Sequence, residues 1–144
     1  MSEKILIQGE DLLTLIPQRP PMVMIDVFYG FKEDRSYTGL RINRDNLFFD
    51  RDHLSEAGLI EHMAQSAAAR AGYEFQIQQK EVPLGFIASV DKLKISGLPL
   101  EGDELYTEIK QTGQVGDVTL IWAQTKGRAG VMAECGMKIF LKKE

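Results

Sequence analysis

Ser55-Glu56-Ala57-Gly58-Leu59-Ile60-Glu61-His62-Met63-Ala64-Gln65-Ser66-Ala67-Ala68-Ala69-Arg70-Ala71-Gly72 is the stretch that decides the fold. Ile60, Met63, Ala64, Ala67, Ala68 and Ala71 recur at i, i+3, i+4, i+7, i+8 and i+11, which is one face of an α-helix. Ser55 is placed to cap the first free amides, Glu56 suits the positive end of the helix dipole, and Gly72 is the expected C-cap. An ordinary surface helix carries more Glu, Lys and Leu. Small side chains let a sheet approach closely, so this helix is expected to be enveloped by one.

The flanks read differently. Residues 10–16 suggest one or two helical turns with Asp11 as a cap, ended by Pro17 and Pro20-Pro21. Met22 to Phe31 is dense in apolar residues and reads as a strand; Ser36 to Asn43 then alternates with period two. Arg44 to Leu54 is a polar loop holding Phe48 and Phe49. After Lys80 the chain is β-like. Strands are expected over Val82 to Val90 (continuing, bent, to Ser96), Leu105 to Thr112, Val118 to Gln124 and Val131 to Lys142, separated by turn chemistry. Strands on both sides of one long helix predict an α+β fold, an antiparallel sheet packed around that helix. With no repeat, low-complexity tract or linker, residues 1–144 read as a single domain.

Composition narrows the function. Seventeen basic and 21 acidic side chains leave a net charge of −4, and the basic residues are scattered, which argues against a nucleic-acid groove. No run approaches the ~20 apolar residues of a membrane helix, and the first residues, with charges interrupting a short apolar run, are not expected to act as a signal peptide. A lone Cys135 fits a reducing compartment, so the expected location is cytoplasmic. His53, His62 and Cys135 have no ligand-pair spacing, so no metal site is expected.

Nucleophile elbows and phosphate loops are absent. The chemistry must lie in polar residues that packing does not require. Glu61 falls on the edge of the apolar stripe, where envelopment would partly desolvate a carboxylate and suit it to general-acid work. The plainer reading is an edge residue that reaches solvent or pairs with an arginine. Gln65, one turn on, either orients that carboxyl or satisfies backbone groups. His53 stands eight positions before Glu61 and reads as a base or as a solvated loop side chain. His62 projects away from the main stripe and is the weaker candidate. Cys135 reads as a small core residue.

Leu59-Ile60-Glu61-His62-Met63-Ala64-Gln65 resembles the I-E-x-M-A-Q signature of the hotdog-fold β-hydroxyacyl–acyl-carrier-protein dehydratases. Three further segments follow the family's order. Leu15-Ile16-Pro17-Gln18-Arg19-Pro20-Pro21-Met22, with Asp26 after it, is similar to L-x-P-H-R-x-P-[FM], Gln18 standing where the family has His. Phe48-Phe49 with His53 is similar to F-F-x-G-H-F-P-G, and Gly102-Asp103-Glu104-Leu105 to G-D-x-L. The likeness runs from about Leu12 to Leu141. The His loop is shortened, with Leu54-Ser55 in place of Phe-Pro-Gly, which resembles a divergent branch of dehydratases found with aryl-polyene-type clusters.

The resemblance implies a hotdog fold, in which the sheet wraps the helix and two such units pair into one continuous sheet. It implies elimination of water from a 3-hydroxyacyl thioester carried by acyl carrier protein or coenzyme A, without a cofactor. His53 would take the C2 proton and Glu61 of the other subunit would protonate the leaving C3 hydroxyl. The helix N-terminus near Gly58 would polarise the thioester carbonyl. Gln65 would orient Glu61, and Phe49, Phe86 and Met63 would wall the acyl tunnel. The assembly would be a homodimer or a heterodimer with another hotdog subunit. Two rival expectations are a non-catalytic partner of a complete dehydratase and an acyl thioesterase.

Overall fold

The computed structural model describes residues 4–142. A short strand β1 (Ile7–Gln8) leads into a 3-10 turn over Gly9–Thr14, then β2 (Val27–Lys32) and β3 (Arg35–Arg41). A small hairpin, β4 (Phe49–Asp50) and β5 (His53–Leu54), precedes the helix α1 (Glu56–Ile77). Four long strands follow: β6 (Leu84–Ile95), β7 (Glu104–Val115), β8 (Val118–Gly127) and β9 (Gly130–Lys142). All main-sheet pairings are antiparallel, in the order β1-β2-β3-β7-β8-β9-β6. This is the α+β arrangement the strand and helix periods predict.

The helix starts where Ser55 accepts a hydrogen bond from the Gly58 amide at 3.2 Å. It does not stop at Gly72. The chain stays helical to Ile77 and ends where Gln79 turns left-handed at φ 57°, a conformation no glycine signalled. Gly72 is needed for packing instead: a Cβ there would run into the Leu15 backbone. Asp11 does not cap the N-terminal turn, whose preceding residue Gln8 makes no side-chain cap bond. The expected strand from Met22 begins only at Val27. Met22 and Met24 give their backbone groups to side chains of α1 rather than to a ladder.

The main core joins Leu59, Met63 and Ala67 of α1 to Leu40, Ile42, Leu105, Ile109, Ile121 and their neighbours on the sheet. A second cluster sets Leu12, Leu15, Ile16, Ile25 and Phe28 against Ala69. The buried face of α1 also carries His62, Ser66 and Arg70, so it is rotated from the purely apolar stripe. The sheet supplies the partners: Ser66 Oγ lies 2.6 Å from Thr38 Oγ1, and Arg70 donates to the carbonyls of Asp34 and Ile109. Burying polar side chains costs little once they are hydrogen-bonded.

Ala57, Ile60, Glu61, Ala64, Ala68 and Ala71 are left only partly covered or exposed, at i, i+3, i+4, i+7, i+11 and i+14. That stripe faces β6, which pairs with β9 on one side and carries Leu84, Phe86, Ile87, Val90 and Leu93 exposed. A long apolar edge strand is a liability unless another chain pairs with it. Among the described residues no helix is long and apolar enough to cross a membrane.

Candidate functional site

Glu61 is held by its own helix. Gln65 Nε2 donates to Glu61 Oε2 at 2.6 Å and to the Met22 carbonyl at 2.7 Å, while Gln65 Oε1 accepts from the Met24 amide at 2.6 Å. Gln65 is fully buried, so its amide cannot turn without leaving backbone groups unpaired. The carboxylate is thus aimed by a residue four positions away whose orientation the N-terminal segment dictates. Both readings of Gln65 apply at once: it satisfies the backbone and it orients Glu61.

His62 does not point outward. It is fully buried between α1, the Met24 segment and β7. Nδ1 is 2.7 Å from the Met24 carbonyl, which can only accept, so Nδ1 carries the proton. Nε2, 2.7 Å from Thr107 Oγ1, therefore accepts from that hydroxyl, which in turn accepts from Thr125 at 2.7 Å. Burial pushes the imidazole down to about 4, against a smaller upward pull from the Met24 carbonyl. His62 is a neutral structural histidine. The helical wheel misplaced it because the wheel counts apolar residues and cannot see the Met24 carbonyl and the Thr107–Thr125 hydroxyls waiting opposite.

His53 lies on β5, with Asp50 as its strand partner and a backbone bridge to Leu100. Its side chain is 27% exposed, and Nδ1 donates to Asp52 Oδ1 at 2.9 Å. That bond holds the Asp52 carboxyl below its ordinary range and fixes the proton on Nδ1, leaving Nε2 free to accept a proton. Asp52 was not foreseen, although an acid directly beside a candidate base is a readable signal. Within one chain His53 and Glu61 share no hydrogen bond; each ring or carboxylate has its own orienting partner.

Gly58 is not a free oxyanion donor. Its amide is bonded to Ser55, and its missing side chain makes room for the β4–β5 hairpin, where a Cβ would meet Phe48 Cβ at 2.7 Å and Leu54 Cγ at 2.8 Å. The three expected tunnel residues occupy three environments. Met63 is wholly within the main core, Phe49 is half-buried against it, and Phe86 is 48% exposed on the outer face of β6. The alternation of β6 explains the last of these. Gly85 and Ile87 point toward the helix, across from Leu141 and Ile139, and Phe86 must point away.

An apolar groove lies where Gly85 and Ile87 face α1. Ala64, Ala68 and Ala71 form its floor, and Leu15, Pro17 and Gln18 form the opposite wall. Glu61 does not line this groove; it precedes Ala64 by one turn on the same stripe of α1, next along the helix from a space suited to hydrocarbon. The alanines expected to admit the sheet serve partly to leave this space open. No cluster of three or more metal-ligating side chains occurs among the described residues.

Comparison with known proteins agrees with this architecture. The family model of ApeP-like proteins, described as ApeP dehydratase, matches residues 10–143. A 3-hydroxyacyl-[acyl-carrier-protein] dehydratase FabZ of Anaeromyxobacter dehalogenans is 26% identical over 117 residues, covering 77% of this chain and 73% of that one. Among solved structures, the dehydratase heterocomplex ApeI:P from Xenorhabdus doucetiae superposes with a TM-score of 0.84 at 16% identity, covering 92% and 91% of the two chains. A hypothetical thioesterase from Streptococcus pneumoniae, solved with coenzyme A, gives a TM-score of 0.63 at 7% identity, covering 81% and 85%. At such identities the structural likenesses establish the hotdog fold.

Proposed function

The chain belongs to the ApeP-like dehydratase family, and from that premise we propose that it serves in the dehydration of 3-hydroxyacyl thioesters carried by acyl carrier protein. The observation that carries this reading is Glu61, fixed by a buried Gln65 one helical turn before the alanines that floor an apolar groove. In the reaction, His53 Nε2 of a second subunit takes the C2 proton. The C2–H electron pair becomes the C2=C3 double bond. Glu61 donates a proton to the C3 hydroxyl, which leaves with the C3–O electron pair as water. Asp52 supports the base role by holding the Nδ1 proton of His53.

The second subunit follows from the surface. The half-open helix stripe and the exposed apolar residues of β6 adjoin each other, and one further hotdog chain would cover both. Such an interface is expected to exceed ~1,200 Å² of total buried surface. A heteromeric assembly is the second reading, in which this chain supplies one half-site to a different hotdog subunit. The likeness to a protein solved as a dehydratase heterocomplex favours it.

The test follows water loss from a 3-hydroxyacyl carrier by mass, with the chain alone and mixed with a second hotdog dehydratase. Glu61→Gln keeps the shape and the Gln65 contact but removes the acid, so turnover should fall by ~10²-fold or more while the fold survives. Unchanged turnover in that variant, in both settings, would remove Glu61 from the reaction.

A further inference from the structure

The apolar groove has an end, and three residues make it. Ala71 of α1 and Ile139 and Leu141 of β9 line the groove, and the same three line a second cavity on their other side. They are what divides the two spaces. The second cavity, of about 200 Å³, is a different environment. Beside Ala67 and Ile121 it presents Arg70, Glu74, Gln111 and Thr119. Those polar groups are engaged with the fold: Arg70 with two backbone carbonyls and with Glu74 at 3.4 Å, Gln111 and Thr119 with Gln114. Hydrocarbon gains more from the groove than from such a wall. Gly85 of β6 shapes the partition from the strand side. It pairs with Leu141, and a Cβ there would stand 3.2 Å from Leu141 Cδ2, so the leucine side chain lies over the space that Gly85 leaves.

The helix fixes the distance from the acid to this partition. Ala71 lies ten residues beyond Glu61, which is roughly 15 Å at ~1.5 Å per residue. A saturated chain with ~1.5 Å bonds and ~111° angles advances ~1.25 Å per carbon, so about twelve carbons span that distance. With C3 at Glu61, the whole acyl chain comes to about fifteen carbons. We infer that Ala71, Ile139 and Leu141 are specificity residues that end the acyl site and set its upper chain length at about fourteen to sixteen carbons. Each methylene up to the partition exchanges water for apolar wall, and the next one meets Leu141 instead. The inference rests on the reading of the groove as the acyl site and adds to it a substrate class, apolar tails of medium to long length.

The experiment uses 3-hydroxyacyl coenzyme A thioesters with plain tails, from about eight carbons to about twenty. Turnover is followed with the full chain, alone and with a second hotdog subunit. Binding is followed in a Glu61→Gln background, where the thioester survives the measurement. With the native partition, binding should tighten by about tenfold for each pair of carbons added and stop gaining near fifteen. The second cavity runs on to Phe75, four residues past Ala71. Leu141→Ala opens the way there and should move the limit outward by about four carbons. Leu141→Phe thickens the partition and should move the limit inward by about two. Ala68→Leu stands inside the groove and should bring the limit down to about eleven. A limit that moves with Ala68→Leu but with neither Leu141 variant would keep the groove as the acyl site and overturn the partition. Binding that keeps tightening through the longest chain, or a limit that no variant moves, would overturn it too. The expected shifts in binding, without turnover in either setting, would uphold the partition and overturn the dehydratase reading.

Discussion

His62 makes the chain's stability depend on pH in a calculable way. The folded protein holds the imidazole near 4 against an ordinary 6.5, and burial is the main cause. The unfolded chain therefore takes up a proton first as pH falls. Stability is fully present above ~6.5 and is lost as pH drops through 6.5 toward 4. At ~1.4 kcal/mol per tenfold the complete loss is roughly 3 kcal/mol, of which about 2 kcal/mol has gone by pH 5. Asp26, raised by its own burial, acts in the opposite sense, since the folded protein takes its proton more readily. Asp52 and Glu101, lowered by His53 and Arg44, withdraw stability only near and below the ordinary carboxylate range. Urea midpoints between pH 7.5 and 5 thus report chiefly His62. Nitrogen-15 spectra of the two imidazoles give the direct check, with His53→Ala assigning the remaining signal. His62 should stay neutral, protonated on Nδ1, across that interval. A His62 signal titrating near 6.5, or a flat stability profile, would refute the closed hydroxyl chain from Thr125 through Thr107 to His62.

Three other outcomes are expected. Gln65→Leu strands the Met24 amide and the Met22 carbonyl, so thermal unfolding should report a loss of ~2–4 kcal/mol; dehydration should fall as well, because Glu61 loses its guide. Gly72→Ala improves helix propensity by about 1 kcal/mol yet forces a Cβ into the Leu15 backbone; denaturant unfolding should show a net loss of roughly 2 kcal/mol. Sedimentation at micromolar concentration should give a two-chain mass for the wild type, or with its hotdog partner, and Val90→Lys with Leu93→Lys on β6 should return it to one chain; an unchanged mass would place the interface elsewhere.

Much of this molecule is legible locally. Helix α1 follows from the period of its apolar residues and from Ser55, whose hydroxyl does accept the Gly58 amide. The long strands after Lys80 follow from alternation and from glycine-rich turns, because both signals depend on neighbours a few residues apart. Glu61 and Gln65 stand out for the same reason: four residues apart, they must share a helix face, and the structure joins them at 2.6 Å.

What the tertiary structure alone decided is which surface meets which. The wheel turned His62 outward because apolar periodicity measures only one kind of partner, and Thr38, Thr107 and Thr125 are brought opposite α1 by strand order, far away in the chain. Gly72 reads as a helix stop in sequence, yet it is the space through which the Leu15 carbonyl passes, a contact between segments 57 residues apart. Phe86 and Ile87 differ by one position, and only the pairing of β6 with β9 says which of them meets the groove. Composition and period determine which segments become helix and strand, since those depend on local backbone sterics and hydrogen bonds. The identity of the buried face and the open groove arise from long-range packing, where a polar group is welcome or costly according to what the rest of the chain places beside it.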